Sequence, residues 1–139
     1  MSRENFDLVK RMLAAYNRGD LEMMLAGCHP DIEVDWTRSI GPEPGMYRGR
    51  EGFRRLAQSY GDVFDRIILD AQTFIDAGDN IVVPHVGRMR HRDGITASVP
   101  SVFVWTIKNG LAVRFRMFNS RDEALAAVGL TDQASSSSS

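Results

Sequence analysis

Apolar residues recur at helical spacing in two long stretches of the chain. Phe6, Val9, Leu13 and Tyr16 lie on one stripe, which predicts a helix over residues 3–17. A second stripe predicts a helix over residues 50–64, and its members are Phe53, Leu56, Ala57, Tyr60 and Phe64. Each helix therefore has one apolar face to bury against another element.

Polar capping residues predict two shorter helices. Asp20 can accept hydrogen bonds from the first turn of a helix that runs through Leu25 and is closed by Pro30. Ser120 and Glu123 have the spacing of a capping box, which predicts a helix over residues 121–128 that Gly129 ends. The first two helices of the chain then form a hairpin.

Alternation with period two predicts the strands. Ile32, Val34 and Trp36 share one face of a half-buried strand, and Asp35 lies on the opposite, polar face. Residues 39–49 are rich in glycine and proline and predict a loop. Four further runs, at 67–76, 81–92, 95–108 and 111–119, are separated by short glycine-containing breaks and predict an antiparallel meander.

Composition limits the class of protein. A chain of 139 residues with 43% hydrophobic content suits one domain, which we place at residues 1–130, followed by a disordered polar tail at 131–139. The 17 basic and 18 acidic residues are dispersed, which argues against a nucleic-acid partner. No apolar run reaches the roughly 18 residues needed to span a membrane. A charged N-terminus and a single cysteine, Cys28, favour a cytoplasmic protein without disulfides.

Five short segments, together with the order of the elements, carry a family resemblance. They are Leu-Ala-Ala-Tyr-Asn-Arg-Gly-Asp-Leu at 13–21, His-Pro-Asp at 29–31, Tyr-Arg-Gly-Arg-Glu-Gly at 47–52, Val-Trp-Thr-Ile-Lys-Asn-Gly at 104–110 and Glu-Ala-Leu-Ala-Ala-Val-Gly-Leu at 123–130. In these segments the chain resembles the nuclear transport factor 2-like superfamily. That superfamily includes SnoaL-like polyketide cyclases, ketosteroid isomerases, scytalone dehydratases and limonene epoxide hydrolases, so the resemblance indicates a fold and not one activity.

The resemblance implies an α+β fold in which a cone-shaped, strongly bent mixed or antiparallel sheet, an α+β barrel, packs on N-terminal helices around an interior pocket. It also implies a small, largely apolar ligand and a homodimer formed through the outer face of the sheet. Aromatic and other side chains that can line the pocket, although core packing explains most of them equally well, are Tyr16, Trp36, Tyr47, Phe53, Tyr60, Trp105, Phe115 and Met117.

The resemblance places two titratable residues where a base is needed. The carboxylate base of the ketosteroid isomerases falls at Asp35 or Trp36, of which only Asp35 is a carboxylate. Their tyrosine falls at Met12 and their acid at Val102 or Phe103, which argues against steroid isomerisation. His85, in the run 81–92, is a second candidate base. The alternatives are a solvated Asp35 on the sheet exterior and a structural, hydrogen-bonded His85.

Arginines alternate along two of the strand-like runs. Arg88, with Arg90 and Arg92, can bind a carboxylate or enolate oxygen if it faces the pocket, and otherwise belongs to a solvated outer face. Asp93 and Asp122 lie at a turn and a helix start, which gives epoxide hydrolysis little support. The three histidines lack metal-ligand spacing, so we expect neither a metal nor a cofactor.

Two functions follow from the sequence. The first is a SnoaL-like protein that binds a small organic molecule and catalyses proton transfer, such as cyclisation, dehydration or isomerisation, with Asp35 or His85 as the base. The second is a non-catalytic ligand-binding or dimeric interaction module.

Overall fold

The computed structural model describes residues 2–130, so the tail predicted at 131–139 lies outside the described residues. Within this part the helices are α1 Ser2–Asn17, α2 Leu21–Ala26, α3 Gly49–Val63 and α4 Arg121–Ala127. Asp20 caps α2 by accepting from the Met23 amide, and Ser120 caps α4 by accepting from the Glu123 amide. None of these helices is long and apolar enough to cross a membrane.

The strands of the described chain form one seven-stranded sheet. They are β1 Cys28–Asp35, β2 Met46–Arg48, β3 Phe64–Ala71, β4 Ile75–Ala77, β5 Asn80–His91, β6 Thr96–Lys108 and β7 Leu111–Phe118. Their order is β2-β1-β7-β6-β5-β3, with β4 paired to β5. β1 and β7 run parallel and the other pairs run antiparallel, so the α+β fold has a mixed, curved sheet, and this sheet is unclosed.

The first strand differs from its sequence prediction at both ends. It starts at Cys28 and includes Pro30, which was expected to close the preceding helix, and it ends before Trp36. The pairing of β1 with β7 is irregular between Cys28 and Glu33, and this bulge accommodates a proline that cannot donate to the ladder.

Two other boundaries were wrong for a similar reason. The loop expected at 39–49 contains the short strand β2, whose Tyr47 pairs with Val34. The run at 67–76 is two strands, β3 and β4, and β3 begins at Phe64, which helical periodicity had assigned to α3. β2 and β3 form because they pair with β1 and β5, whose paired residues lie more than ten positions away in sequence, and this pairing overrides the local pattern. β4 pairs locally, in a tight hairpin with the start of β5.

The two faces of the sheet have different partners. The inner face packs against α1, α2 and α3, and the main core includes Val9, Leu56, Val83, Phe103 and Phe115. On the outer face a smaller apolar cluster joins the sheet to α4, with Val82, Val104, Phe118 and Leu125 among its members. The space between the bent inner face and the helices positions the candidate site.

Candidate functional site

A cavity of about 320 Å³ lies between the inner face of the sheet and helices α1 and α3. Apolar and aromatic side chains make up most of its wall. Among the residues that the structure describes, those lining the cavity include no Asp, Glu, Lys or Arg. The polar side chains on the wall, besides the indole of Trp36, are Tyr16, Ser39, Tyr60, His85, Ser101 and Asn119.

Contacting rings build the floor of the cavity. Phe115 lies at the centre: its ring centroid is 4.2 Å from that of Trp105, 5.2 Å from that of Phe53 and 5.9 Å from that of Trp36. Phe103 adds an edge-on contact at 4.7 Å. These contacts hold the aromatic side chains in place before any ligand arrives.

His85 and Ser101 form a hydrogen-bonded pair on this wall. The two residues are directly paired across β5 and β6, and His85 Nε2 lies 2.8 Å from Ser101 Oγ. His85 Nδ1 lies 3.1 Å from the Val83 carbonyl oxygen. Because a carbonyl only accepts, Nδ1 carries the proton, and the neutral ring then accepts at Nε2 from the serine hydroxyl.

Burial keeps the His85 ring neutral. The residue is only 3% exposed, and its ring centroid lies 3.9 Å from that of Phe103. Desolvation lowers the pKa of His85 from its ordinary value, against a smaller opposing effect of the hydrogen bond to Val83. At neutral pH the cavity therefore contains an uncharged imidazole with a basic nitrogen.

A second polar group lies at the mouth of the cavity. Trp36 Nε1 donates to the Tyr60 hydroxyl at 3.0 Å, and Ser39 Oγ lies 3.2 Å from that hydroxyl. Ser39 Oγ also accepts from the Gly41 amide, which holds the loop against α3. The next side chain, Ile40, lines the mouth although it is 89% exposed. This loop leaves an apolar side chain beside the entrance.

Tyr16 supplies a further hydroxyl on the cavity wall. Burial, with a smaller contribution from Tyr60, raises the pKa of Tyr16 to about 12. In the part of the chain that the structure describes, this hydroxyl has no hydrogen-bond partner. It remains protonated at neutral pH and can donate to a ligand oxygen.

Asp35, the first of the two bases considered from the sequence, lies outside the cavity wall. Its Oδ1 accepts from the Thr37 amide and hydroxyl, and its Oδ2 accepts from Arg38 at 3.0 Å. Burial opposes ionisation, but these hydrogen bonds outweigh it and lower the pKa of Asp35. The carboxylate is a weak base engaged on the polar side of β1, and a catalytic role for it stays an untested prediction.

Most of the other residues proposed from the sequence lie on the wall. His85 lies there, as do seven of the nine pocket candidates: Tyr16, Trp36, Phe53, Tyr60, Trp105, Phe115 and Met117. Tyr47 and Arg88 lie outside it. The Tyr47 hydroxyl donates to the Glu43 carbonyl, and Arg88 pairs with Asp70 at 3.1 Å. Arg88 points away because its strand neighbours Gly87 and Met89 line the cavity, and alternation sends it to the opposite face.

The remaining charged candidates also lie elsewhere. Arg90 pairs with Asp65, and Arg92 donates to backbone carbonyls at the end of α3. Neither Asp93 nor Asp122 lines the cavity. Within residues 2–130 no group of three His, Cys, Asp or Glu side chains could hold a metal ion.

Sequence reasoning missed Ser101 and Asn119. Ser101 shares the parity of Phe103 and Trp105 on β6, so the inward face of this strand was readable from the alternation. The pairing of Ser101 with His85 could not be predicted from the sequence, because it depends on the register across the β5–β6 hairpin.

Comparisons with known proteins agree on the fold. Residues 9–115 match the model of the SnoaL-like domain. An NTF2-like protein of unknown function from Burkholderia pseudomallei is 26% identical, with a TM-score of 0.76 over 90% of this chain and 97% of that chain. TerC, co-crystallised with polyporic acid, is 24% identical, with a TM-score of 0.75 over 91% of this chain and 98% of that chain.

A third structure extends the comparison. A putative polyketide cyclase from Xanthomonas campestris is 23% identical, with a TM-score of 0.72 over 91% of this chain and 98% of that chain. No curated protein matches the sequence significantly. Since the matched domain spans most of the chain and the NTF2-like neighbours share its helices and bent sheet, the protein belongs to the SnoaL-like domain family of the nuclear transport factor 2-like superfamily.

Proposed function

We propose that the protein binds a small, uncharged and largely apolar organic molecule in the cavity, and that His85 acts as a base in proton-transfer chemistry. Cyclisation, dehydration and isomerisation belong to this reaction class. The observation that carries the proposal is a neutral, buried imidazole on the wall of a cavity whose described lining has no charged side chain. Two neighbours support parts of the proposal: TerC was co-crystallised with polyporic acid, a small organic molecule, and another neighbour is a putative polyketide cyclase.

The cavity lining selects against charged ligands. A charge that leaves water without an oppositely charged partner is strongly destabilised, and no side chain on the described wall is an Asp, Glu, Lys or Arg. An uncharged ligand loses little on entry and gains contact with the rings around Phe115. A volume of about 320 Å³ lies near the lower end of the range for small-molecule pockets, roughly 300–1,000 Å³. The ligand is therefore compact.

Proton abstraction next to a carbonyl group suits the polar residues present. His85 Nε2 can receive the proton, directly or through Ser101, because the imidazole is neutral. The Tyr16 hydroxyl can donate to the carbonyl oxygen as negative charge develops on it. Of the two bases considered from the sequence, only His85 lines the cavity, and we assign it the role.

A binding experiment tests the first half of the proposal. Adamantanone and adamantanecarboxylate form a matched pair, one a neutral ketone and the other an anion. The chain has two tryptophans, and both Trp36 and Trp105 line the cavity, so intrinsic fluorescence reports on its occupancy. The ketone should quench this fluorescence and raise the melting temperature, and the carboxylate should do neither. Equal binding of the two compounds would contradict a neutral-ligand site.

Filling the cavity provides a matched control. Ala57 lines the cavity and Ala126 is exposed on α4. Ala57→Phe should abolish the response to the ketone, and Ala126→Phe should preserve it. If both variants bind like the wild type, the ligand occupies another place.

A hydrogen-exchange experiment tests the second part of the proposal, which is proton transfer by His85. Indanone in D₂O exchanges its acidic carbon-bound hydrogens, and NMR measures the rate. Replacing the base in His85→Gln should slow the protein-catalysed exchange by about 100-fold or more. Asp35→Asn should leave the rate unchanged, because that carboxylate is not on the wall.

The second candidate is a non-catalytic ligand-binding module. It is favoured by the Ser101 hydroxyl, which already occupies His85 Nε2 and gives the ring a structural role. Ketone binding without any accelerated exchange would select this alternative.

A further inference from the structure

We propose that Ser101 is a nucleophile activated by His85, and that the cavity carries out acyl transfer from uncharged esters. This inference rests on the proposed neutral-ligand cavity but not on proton abstraction from carbon. Ser101 and His85 were described above as a base and its hydrogen-bond partner. The same geometry has the parts of a nucleophile, a general base and a group that orients the base.

The orientation of the imidazole is the first requirement. Nδ1 donates to the Val83 carbonyl, so the basic lone pair is directed at Ser101 Oγ, 2.8 Å away. The ring cannot easily rotate, because it is buried against Phe103. The backbone carbonyl thus has the orienting role that a carboxylate has in a catalytic triad.

The location of the hydroxyl is the second requirement. Val99 and Phe103 flank Ser101 on the inward face of β6, so the hydroxyl is a polar group in an otherwise apolar stretch of wall. Ser101 is the more exposed member of the pair, since His85 is only 3% exposed. A ligand in the cavity meets an activated hydroxyl with the imidazole behind it.

The reaction balances with water as the only co-reactant. Ser101 Oγ attacks the ester carbonyl carbon while its proton passes to His85 Nε2, and the carbonyl electron pair moves to the oxygen. Collapse of this intermediate breaks the bond to the leaving oxygen, which takes the proton from Nε2 and departs as an alcohol. Water then attacks the acyl-Ser101 carbonyl with His85 again accepting the proton, and Ser101 and a carboxylic acid are released.

The cavity also limits the substrate class. The imidazolium that forms in each step has a carbonyl partner, Val83, and no carboxylate on the described wall, so it is poorly stabilised. Esters with good leaving groups, such as aryl esters, need the least help from the base and are the expected substrates. The acid product ionises, and because the described lining has no oppositely charged side chain the anion is disfavoured there, which promotes its release.

Covalent labelling tests the nucleophile. An uncharged alkyl fluorophosphonate should add one phosphonyl group to the full chain, and peptide mass spectrometry should locate it on Ser101. Ser101→Ala should abolish the label, and His85→Gln should slow labelling by about 100-fold or more. Ser98→Ala is the matched control, because Ser98 lies on the same strand but outside the cavity wall, and it should label like the wild type.

Melting curves and a pH profile complete the labelling experiment. Melting curves should show that Ser101→Ala folds, and the labelling rate of the wild-type protein should fall as a single group with a pKa below about 6.5 becomes protonated. Hydrolysis of nitrophenyl butyrate should show the same pH profile. An unlabelled wild-type protein, a label retained in Ser101→Ala, or a pH-independent labelling rate would each overturn the proposal.

The outcome is separable from that of the proposed function. Ketone binding is measured on the wild-type protein and on the Ser98→Ala control, and labelling on the same two proteins, so the two properties are compared without altering the cavity wall. A wild-type protein that binds adamantanone but resists labelling refutes the nucleophile and leaves the binding site intact. A protein that is labelled on Ser101 but does not bind the ketone refutes the proposed ligand class instead.

Discussion

His85 illustrates how a single buried side chain makes stability depend on pH. In the folded protein burial lowers its pKa, whereas in the unfolded chain the imidazole titrates near its ordinary value of about 6.5. Below that pH the His85 imidazole binds a proton in the unfolded chain, whereas in the folded protein it binds one only at a lower pH. The stability that depends on a neutral His85 is therefore fully present above pH 6.5 or so and is lost as the pH falls.

We predict that the free energy of unfolding decreases as the pH is lowered from about 7 into the range below 6.5, by at most about 1.4 kcal/mol per pH unit for this one group. Urea titrations at several pH values measure it. His85→Gln should remove this part of the dependence, and His91→Gln, at a half-exposed site, should retain it. A pH profile unaffected by His85→Gln would show that other groups cause it.

Two tyrosines on the cavity wall should respond differently to loss of the hydroxyl. Tyr60→Phe removes the partner of Trp36 Nε1 and Ser39, so we expect unfolding free energy to fall by about 1 kcal/mol or more. Tyr16→Phe removes a hydroxyl without a partner among residues 2–130, so stability should be unchanged or slightly raised. Tyr16→Phe should instead weaken ketone binding by about 0.5–1.5 kcal/mol. Thermal melts measure the change in stability, and fluorescence titrations measure the change in ketone binding. A similar loss of stability in both variants would contradict the different hydrogen bonding described for the two hydroxyls.

At the scale of elements, one glycine decides how α3 begins. Gly49, the first residue of that helix, has φ of 76°, and a Cβ built there would lie 3.0 Å from the Pro30 carbonyl oxygen. Both the backbone conformation and the close approach of β1 require glycine. Gly61, near the other end of α3, has no positive φ and no atom within 4 Å of a built Cβ.

These two glycines form a matched pair of substitutions. Gly49→Ala should lower the free energy of unfolding by about 1–2 kcal/mol, because an L-residue is strained in the left-handed region. Gly61→Ala should raise it by about 0.5–1 kcal/mol, because alanine loses less backbone entropy in a helix. Denaturant midpoints measure both changes. Effects of the same sign would contradict the described start of α3.

At the scale of the whole molecule, the outer face of the sheet has one unusual side chain. Arg116 on β7 is only 9% exposed, and its Nε has no hydrogen-bond partner among the described residues. Burial, followed by the nearby charges of Arg114 and Arg38, lowers the pKa of Arg116. The chain's own atoms cover Nε, so an acceptor on a second copy of the chain would bond the outer end of this guanidinium.

We predict a homodimer, as the family resemblance implies, with Arg116 near the contact. Sedimentation should report a particle of twice 15.6 kDa. Arg116→Met should weaken association because it removes the donor, and Arg90→Met, which removes the pair with Asp65, should not. A particle of 15.6 kDa at every concentration would refute the dimer.

The amino-acid sequence by itself determined the kind and order of most elements and the inward parity of their residues. Helical and strand periodicity, the caps at Asp20 and Ser120, and the turns at Asp93-Gly94 and Asn109-Gly110 all depend on residues a few positions apart. Local interactions of this kind act in the same way wherever the segment lies. The helices, the meander and the inward position of Trp36 were accordingly predictable.

Only the tertiary structure decided which of these residues meet. Strand register and the bend of the sheet decide the pairing of Ser101 with His85, the position of Asp35 outside the cavity and the inclusion of Pro30 in β1. Register is set by hydrogen bonds between segments far apart in the chain, and a shift of one residue turns every side chain to the other face. The composition of the cavity wall is therefore a property of the assembled sheet and not of any segment within it.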